Sequence, residues 1–402
     1  MDFTKPLKIT VFGAGVTATA VRKAITRFPH LQEVATDEHP EIGILSPGLV
    51  TADYQAKYTF PLISEIELAD HLIKSTGKTP TYLVVSGTNG KTTTTHLLGH
   101  FLDAALAGNI GIPLIDYATP DASKIPDVFA LEMSSYQIEQ SPTFTPHGYI
   151  LTNITEDHLD RHGTMAHYAE LKIILATRQS AKHCFVYNSD DDWTRKALQP
   201  FPPLRPTTID FLSERERYVA EIADSPLLGE HNVHNLLAAL TMATWFRPAS
   251  YLNKINTIKA VPHRLEPVRL LNDITYINDS KGTNPDSTLA ALRSVDPQSV
   301  LLLLGGRRKQ ASYEPLFAVI RNDQVRVIGF GEDGPFFEEH LATSTAWLGL
   351  TETMTQAIHL AHNNAHAGDI VLLSPSCASF DEFHNFEERG NVFRDVVSTL
   401  ST

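Results

Sequence analysis

The sequence has little of what several common classes of protein require. Two cysteines, Cys184 and Cys377, lie far apart in 402 residues and predict neither a disulfide framework nor a zinc site. No apolar run is long enough to cross a bilayer, and residues 1–10 lack the plan of a signal peptide, so we expect a cytoplasmic protein without membrane insertion. Positive charge is also scarce. The net charge of −13 argues against a nucleic-acid partner, which would need clustered Lys and Arg.

The sequence does contain enough apolar material for several hydrophobic cores. Apolar residues make up 42% of the chain, and a chain of this length is expected to form about two to four domains. Strand-like apolar runs alternate with segments of helical periodicity, which predicts an α/β fold. Composition breaks at residues 76–80 and 260–262 predict domains at 1–78, 79–260 and 261–402.

The most informative stretch is a glycine-containing loop at residues 86–93. It follows a predicted buried strand, residues 82–85, and leads into a segment of helical spacing. Strand, glycine loop and helix together form a geometry that binds phosphates through backbone N–H groups. In this geometry Lys91 would contact the terminal phosphates and Thr92 would offer a hydroxyl to Mg²⁺. The general pattern has a glycine where this chain has Val85, so an ordinary turn before a helix is the alternative.

A second glycine loop follows the first predicted strand, residues 8–12. Residues 13–18 have the form Gly-x-Gly-x-x-Ala, a permitted variant of the dinucleotide fingerprint. It predicts a phosphate at the helix N-terminus without identifying the molecule. A dehydrogenase remains an alternative because Glu33 stands near the position of the acidic residue that such enzymes use. Residues 46–48 follow the predicted strand 42–45, and there a plain Pro-Gly turn is the alternative to a ligand loop.

Polar residues follow two further predicted strands, residues 128–131 and 148–152. Glu132 and His158 stand beyond their carboxyl ends, where ligands bind in open α/β sheets. We therefore predict that both reach a bound metal beside Thr92. An isolated histidine is often only a hydrogen-bonded structural group, and that alternative stays open for His158.

Lys172 stands among apolar residues of a predicted helix. A lysine in such a setting is usually a surface residue whose stem lies along apolar neighbours. The alternative is a buried amine of lowered pKa, which would be neutral and reactive. Further along, Asn232 and Asn235 are three residues apart and share one helix face, where they would cap the helix or contact a base.

The last third of the chain predicts another α/β unit. Strands are expected at residues 275–278, 300–304, 325–330 and 369–373, with helices between them. Polar residues again follow the strand ends, which places them at one common edge of the sheet.

Seven motifs taken in order make the chain similar to the Mur ligase family over its whole length. They occupy residues 87–93, 131–139, 153–161, 231–235, 263–266, 278–284 and 374–390. The last motif resembles the branch of the family that adds D-glutamate. The motif Asp-Asn-Pro-Arg, expected of the branch that adds a diamino acid, does not occur.

This resemblance implies three domains: an N-terminal Rossmann-like domain for a UDP-sugar, a central P-loop-type ATPase domain and a C-terminal Rossmann-like domain for the amino acid. It also implies a reaction, the ATP-dependent joining of D-glutamate to UDP-N-acetylmuramoyl-L-alanine through an acyl phosphate. That reaction is a cytoplasmic step in making peptidoglycan precursors. The implied cofactors are ATP and two Mg²⁺ ions, with Lys172 carbamylated, and we expect a monomer.

The resemblance also implies roles for individual residues. The ATP contacts would be Gly87, Thr88, Asn89, Gly90, Lys91, Thr92, Thr93, Asn232, Asn235, Arg264 and Asp279. The groups nearest the chemistry would be Lys91, His158, Lys172 and Lys281, and the metal ligands Thr92, Glu132, His158 and the carbamate on Lys172. The UDP-sugar contacts would be Gly13, Gly15, Val16, Thr17, Ser46, Pro47, Gly48, Asn109 and Ser134. The D-glutamate contacts would be Thr283, Lys309, Ser379 and Phe386, although core packing is an equal alternative for Phe386.

Two features depart from the family pattern. The stretch before Ser46 is short, which leaves the uracil contacts unassigned, and Arg307 and Arg308 add positive charge before Lys309 without an evident purpose. Three rival functions also stay open: a folylpolyglutamate synthetase, an NAD-dependent dehydrogenase and a protein that binds ATP without chemistry.

Overall fold

The computed structural model describes residues 2–201, 205–227, 229–249, 251, 253–259, 261–344 and 346–401. Ala260, at the predicted second domain boundary, lies outside these ranges. Within them the strands are β1 (Leu7–Phe12), β2 (Leu31–Glu33), β3 (Ile42–Leu45), β4 (Leu62–Ile63), β5 (Thr81–Ser86), β6 (Ala105–Gly108), β7 (Val128–Glu132), β8 (Gly148–Leu151), β9 (Cys184–Tyr187), β10 (Thr207–Asp210), β11 (Glu266–Leu271), β12 (Ile274–Asn278), β13 (Val300–Gly305), β14 (Arg326–Phe330), β15 (Trp347–Thr351) and β16 (Ile370–Ser376).

Helices connect most of these strands. They are α1 (Val16–Arg27), α2 (Thr51–Gln55), α3 (Glu65–Ser75), α4 (Lys91–Leu102), α5 (Ser135–Glu139), α6 (Leu159–His162), α7 (Met165–Arg178), α8 (Asp192–Leu198), α9 (Val219–Asp224), α10 (Glu230–Phe246), α11 (Pro285–Leu292), α12 (Glu314–Asn322), α13 (Gly334–Leu341), α14 (Met354–Asn364) and α15 (Phe386–Thr399). None of these helices is long and apolar enough to cross a membrane, judged over the described residues.

The strands form three sheets. Their orders are β2-β1-β3-β4, then β10-β9-β8-β5-β7-β6, then β11-β12-β16-β13-β14-β15. Every pair of neighbours is parallel except β11 and β12. Parallel neighbours need long crossover connections, which is why helices alternate with strands along the chain. The predicted α/β fold is therefore confirmed.

Strand β13 shows why an unbroken apolar run belongs at the centre of such a sheet. All its residues are buried. Leu302 and Leu304 pack into a core on one face, while Leu301 and Leu303 pack into a core on the other. Successive strand residues point to opposite faces, so a strand covered on both sides needs apolar residues at every position.

The described residues divide into two compact units. The first contains residues up to Ile154, Arg161–Ser225 and His234–Thr257, and it carries the first two sheets. The second contains Thr155–Asp160, Pro226–Val233 and the residues from Ile258 onward, and it carries the third sheet. The three domain ranges expected from the sequence stay a prediction.

The third sheet is larger than the four strands expected from the sequence. It gains β11 and β15, the two edge strands. β11 begins with Glu266 and Pro267, and β15 contains Gly349. Edge strands are covered less completely than central ones, so they lack the continuous apolar run by which the other four were found.

Candidate active site

The loop between β5 and α4 has the shape of a phosphate-binding loop. Gly87 has φ 143° and Gly90, the N-cap of α4, has φ 82°, which are conformations that L side chains rarely adopt. A Cβ on Gly87 would lie 2.0 Å from Thr152 Oγ1, and one on Gly90 would lie 2.1 Å from Asn235 Oδ1. Neither position accepts a side chain, so this loop shape requires glycine at both positions, and it places the N-terminus of α4 where an anion can bind.

Residues at the end of β8 brace this loop. Asn153 Oδ1 accepts a hydrogen bond from the Asn89 N–H at 2.9 Å, and the Asn153 carbonyl accepts one from the Thr88 N–H at 2.9 Å. The Thr152 hydroxyl donates to the Asn89 carbonyl at 2.6 Å. These hydrogen bonds fix the conformation of the loop before a ligand binds. The binding of a phosphate would therefore require little further ordering of the loop.

Lys91 folds back over the same loop. Its Nζ donates to the carbonyls of Gly87 at 3.0 Å and Thr88 at 2.6 Å. The side chain is half-buried in the first turn of α4, where the helix dipole also favours negative charge. The Lys91 ammonium and the N-terminus of α4 therefore both favour the binding of an anion at this loop.

Thr92 and Glu132, two predicted metal ligands, are brought together. The Thr92 hydroxyl donates to Glu132 Oε2 at 2.7 Å, and both side chains are buried. The register explains the meeting, because Val85 of β5 pairs with Glu132 of β7 and the loop begins two residues later. Asn109, predicted as a UDP-sugar contact, donates to Glu132 Oε1 at 2.9 Å. Hydroxyl and carboxylate oxygens are hard donors of the kind that Mg²⁺ prefers.

The described residues contain no group of three or more His, Cys, Asp or Glu side chains that could hold a metal ion. An ion at Thr92 and Glu132 would therefore complete its coordination with phosphate oxygens and water, as Mg²⁺ does in nucleotide sites. The residues that are present fit such an ion.

Lys172 is buried, so the interpretation of it as a surface lysine is wrong. Its side chain is 1% exposed on α7, and Nζ donates to the Gly87 carbonyl at 2.7 Å. The same Nζ lies 4.7 Å from the centre of the Tyr168 ring, and the Tyr168 hydroxyl is 3.1 Å from Thr88 Oγ1. Lys172 thus contacts the backbone of the phosphate loop.

The two loops of the N-terminal sheet that contain predicted UDP-sugar contacts also lie together. The Ser46 hydroxyl donates to the Phe12 carbonyl at 2.8 Å, directly before the loop that begins at Gly13. Gly15 is the N-cap of α1, and Val16 and Thr17 form its first turn. On the other side, Arg161 donates to the carbonyls of Pro47 and Leu49, and Gly48, between them, is exposed.

Two residues considered for the N-terminal ligand have structural partners of their own. Ser134 caps α5 in a capping box with Gln137. Glu33, on which the dehydrogenase alternative relied, forms an ion pair with Arg22 at 2.9 Å. A ribose that bound Glu33 would have to compete with that arginine.

The predicted ATP contacts beyond the loop fall in both compact units. Asn235 belongs to the first unit, where its Oδ1 accepts a hydrogen bond from the Thr94 hydroxyl at 3.3 Å. Asn232 and Arg264 belong to the second unit. Arg264 lies between His263 and Leu265, which have φ values of 62° and 40°. Both are non-glycine residues in the left-handed region of φ, which indicates a strained backbone around Arg264.

Asp279 lies at the carboxyl end of β12. Burial raises the pKa of its carboxyl to about 6. It accepts hydrogen bonds from the Ser374 hydroxyl at 2.7 Å and from the Leu265 N–H at 3.3 Å. Two residues on, Lys281 Nζ lies 4.8 Å from the centre of the Phe386 ring.

The residues predicted to bind D-glutamate follow strand ends of the third sheet. Lys309 pairs with Asp157 at 3.1 Å, and both belong to the second unit, as does His158. His158 has φ 55° and its Nε2 lies 3.5 Å from Asp157 Oδ2. Ser379 is buried after β16, Thr283 is half-buried after β12, and Phe386 begins α15.

The structure accounts for the two arginines that sequence reasoning left unexplained. Arg307 forms an ion pair with Glu332 at 2.8 Å, and Arg308 forms one with Asp333 at 2.8 Å. The Arg308 guanidinium also lies 3.6 Å from the centre of the Phe336 ring. Their charges are therefore balanced by neighbouring acids.

Three residues around these sites were missed from the sequence: Tyr168 beside Lys172, Asp157 beside Lys309, and Arg389 beneath the loops of the third sheet. One of them left a signal. Arg389 lies on the same helical stripe as Phe393 and Val397 of α15, and a charged residue on an apolar stripe indicates a buried charge.

Comparison with known proteins identifies the family. Residues 85–218 match the Mur ligase middle domain, and residues 263–377 match the Mur ligase, glutamate ligase domain. A UDP-N-acetylmuramoylalanine–D-glutamate ligase of Salinibacter ruber is 35% identical, over 90% of this chain and 85% of the relative. One of Pelotomaculum thermopropionicum is 33% identical, over 96% of this chain and 88% of the relative.

Solved structures with a similar fold include a MurF ligase of Thermotoga maritima in complex with ADP. The TM-score is 0.63 at 14% identity, covering 98% of this chain and 96% of that one. A folylpolyglutamate synthase of Mycobacterium tuberculosis gives a TM-score of 0.61 at 14% identity, covering 82% and 94%. The matches to family and relatives confirm the family and the enzyme class predicted from the sequence motifs. The chain belongs to the Mur ligase family.

Proposed function

We propose that this protein is an ATP-dependent ligase that adds D-glutamate to UDP-N-acetylmuramoyl-L-alanine, a cytoplasmic step in making peptidoglycan precursors. The observation that carries the proposal is similarity over nearly the whole chain to relatives that are named for this reaction. The meeting of Thr92 with Glu132 beside the phosphate loop supports it, because the reaction needs a nucleotide and a divalent cation.

The chemistry explains why ATP is needed. A carboxylate does not react with an amine at neutral pH unless its oxygen becomes a leaving group. The carboxylate oxygen takes the terminal phosphoryl group of ATP, which gives an acyl phosphate and ADP. The uncharged amine of D-glutamate then attacks the acyl carbon, a tetrahedral intermediate forms, and phosphate leaves as the amide C–N bond is completed. The amine proton passes to solvent or a nearby base. The protein must hold the reactants in line and keep water away from the acyl phosphate.

In this proposal the phosphate loop binds ATP. Gly87–Thr93 lies around the phosphates at the N-terminus of α4, and Lys91 balances their charge. Thr92 and Glu132 hold the first Mg²⁺, which neutralises phosphate charge when it is bound. Asn232, Asn235, Arg264 and Asp279 are the proposed contacts to the rest of the nucleotide, and Lys281 is the proposed contact to the reacting phosphate.

We further propose a second Mg²⁺ held by His158 and by a carbamate on Lys172. The burial of Lys172 and its contact with the Gly87 carbonyl support this role, because they place the amine beside the loop proposed to bind the phosphates. A carbamate would turn the nitrogen donor into a pair of oxygen acceptors, which suits Mg²⁺.

The outer parts of the site complete the proposal. The N-terminal Rossmann-like domain holds the UDP-sugar through Gly13, Gly15, Val16, Thr17 and Ser46–Gly48, with Asn109 and Ser134 from the central P-loop-type domain. The C-terminal Rossmann-like domain holds D-glutamate through Thr283, Lys309, Ser379 and Phe386. The proposed working form is a monomer.

Phosphate release is the direct test of this reaction. With ATP, Mg²⁺ and UDP-N-acetylmuramoyl-L-alanine present, we expect D-glutamate to stimulate release, and L-glutamate or L-lysine to leave it at the background rate. The physical reason is that a stereospecific pocket presents only one enantiomer's amine to the acyl phosphate. Stimulation by another amino acid would change the substrate assignment, and binding of ATP with no release at all would favour a non-enzymatic protein.

Lys309 provides a test of the amino-acid pocket. Lys309→Ala should raise the KM for D-glutamate by about 30-fold, because a desolvated carboxylate loses its counter-charge, and the KM for ATP should change little. Arg307→Ala is the matched control. Arg307 stands two positions before Lys309 and is a solvent-exposed cation that pairs with Glu332. Ser379→Ala should act in the same direction as Lys309→Ala but more weakly. Equal effects on both KM values would place the pocket elsewhere.

A further inference from the structure

Arg389 is a completely buried arginine in the first turns of α15. Its relative exposure is 0%, and it is among the largest fully buried side chains of the described residues. It lies on the inner stripe of the helix with Gly390, Phe393 and Val397. A cation this deep needs an explanation, since arginine is almost never fully buried without a charged partner.

The guanidinium binds carbonyl and hydroxyl oxygens rather than acids. Its Nε donates to Ser280 Oγ at 3.0 Å, and its Nη2 donates to the carbonyls of Ser280 at 2.7 Å and Cys377 at 3.1 Å. Nη1 is buried and has no hydrogen-bond partner among the described residues. The whole positive charge is thus held by neutral groups.

Acids are near Arg389 but are engaged elsewhere. The carboxylates of Asp279, Asp381 and Glu382 attract the guanidinium electrostatically but form no hydrogen bond with it. Each of them accepts a hydrogen bond from another group. Burial lowers the pKa of Arg389 to about 10, which still leaves it protonated at neutral pH. Leaving a buried charge without a partner destabilises the folded chain, so the charge is costly where it stands.

The position of Arg389 suggests what compensates this cost. Arg389 contacts the loops that follow three parallel strands. It donates hydrogen bonds to Ser280 after β12 and to Cys377 after β16, and it lies close to Gly306 after β13. A Cβ on Gly306 would lie 3.2 Å from Nη1 and 2.2 Å from the Ala378 carbonyl, so no side chain separates the guanidinium from that loop. These same loops carry Lys281, Lys309 and Ser379.

We propose that Arg389 is a positioning residue for the anionic amino-acid substrate, whose carboxylates supply the negative charge that the buried guanidinium lacks. This inference rests on the proposed function, because it takes D-glutamate to bind at this edge of the third sheet. Arg389 does not touch the substrate. It acts through its charge, which raises the positive potential at the surface of these loops. A unit charge about 10 Å away in an effective dielectric of about 20 changes the binding of an anion roughly tenfold.

Two substitutions separate the charge from the hydrogen bonds. Arg389→Gln removes the charge and keeps some capacity to donate, whereas Arg389→Lys keeps the charge and loses the planar fork. We expect the glutamine variant to raise the KM for D-glutamate about tenfold, with kcat and the KM for ATP little changed. The lysine variant should keep a KM for D-glutamate close to that of the unchanged protein.

Arg269→Gln is the matched control. Arg269 donates to the carbonyls of Val397, Ser398 and Leu400, at the other end of the same helix. That end is about 12 Å from Arg389 along the helix axis, by the rise of 1.5 Å per residue. Arg269→Gln should lower the thermal unfolding temperature and leave the KM for D-glutamate unchanged, which shows what loss of structure alone does.

The measurements are KM and kcat for both substrates by phosphate release, with unfolding temperatures for every variant. The unchanged protein is assayed first, and failure of D-glutamate to stimulate release there would overturn the proposed function itself. If the unchanged protein is active, equal increases in the KM values for D-glutamate and ATP in the glutamine variant would overturn the inference. If the glutamine variant does not fold, the lysine variant decides, because a tenfold rise in its KM for D-glutamate with the charge retained would show that only the hydrogen bonds matter.

Discussion

Lys91→Ala should lower kcat for D-glutamate-dependent phosphate release by about 1000-fold. In the present structure the Lys91 ammonium lies against the carbonyls of Gly87 and Thr88, within the loop proposed to surround the phosphates. Negative charge builds up on the transferring phosphoryl group, and a cation placed there before the reaction begins needs no rearrangement to stabilise it. Alanine removes the cation but leaves the N–H groups and the helix N-terminus, so some nucleotide affinity should remain.

Lys78→Ala is the control for Lys91→Ala. Lys78 precedes β5 and forms an ion pair with Asp127, whose side chain is largely exposed. A surface pair of this kind contributes at most about 1 kcal/mol, and the variant should turn over at the rate of the unchanged protein. Calorimetric titration with ATP and Mg²⁺ then separates binding from chemistry. Near-normal turnover by Lys91→Ala would remove the assignment of this loop to the reacting nucleotide.

Lys172→Ala should lose activity by about 100-fold or more, and bicarbonate with a short carboxylic acid should restore part of it. The substitution removes a buried side chain that reaches the Gly87 carbonyl, and it leaves a space beside the phosphate loop. A small carboxylate that enters this space would place its oxygens near those of the proposed carbamate. Rescue tests that proposal, because an acid cannot replace an ammonium group.

Lys91→Ala serves as the control for the rescue, since the same acids should not restore a variant that lacks a cation. A second measurement does not depend on activity. Labelling with ¹³C-bicarbonate should give a carbamate signal by NMR in the unchanged protein and none in Lys172→Ala. A free lysine has a pKa of about 10.4, so exposed lysines should contribute no lasting signal. Full activity of Lys172→Ala without added acid would rule out the proposed role.

Much of the central architecture could be predicted from the sequence because it depends on local patterns. The strands that lead to Gly87 and Glu132 have apolar centres, and polar residues stand at the carboxyl end of each of them. Parallel strands in register bring such ends together, which is why Thr92 and Glu132 could be predicted as neighbours although they are 40 residues apart.

Pairings that depend on the third dimension could not be predicted in the same way. Lys172 has apolar neighbours in a helix whether it faces solvent or the core, and its partner Gly87 is 85 residues away. Arg307 and Arg308 have their acids 25 residues further on, at the start of a different helix. The local sequence gives the type of each side chain but does not show which distant residues will pack against it.

Arg389 shows a third situation, in which the sequence indicates that a side chain is buried but does not indicate its partners. Its helical spacing with Phe393 places it on the buried stripe. What the spacing could not reveal is that the surrounding oxygens would be neutral. Ser280 is 109 residues away in the chain, and Cys377 is 12 residues away in the loop before the helix, whose course the spacing does not predict. The charge imbalance is a property of the assembled sheet.

The antiparallel edge of the third sheet has a consequence for self-association. An exposed strand edge offers unpaired N–H and C=O groups to any other chain, and such edges are where proteins aggregate. On β11, Pro267 has no N–H to offer, and a bulge between Pro267 and Arg269 breaks the regular alternation of outward groups. Leu270 is 67% exposed on this strand, where both features make the backbone a poorer template for a further strand. The backbone of this edge therefore opposes sheet extension beside the exposed leucine.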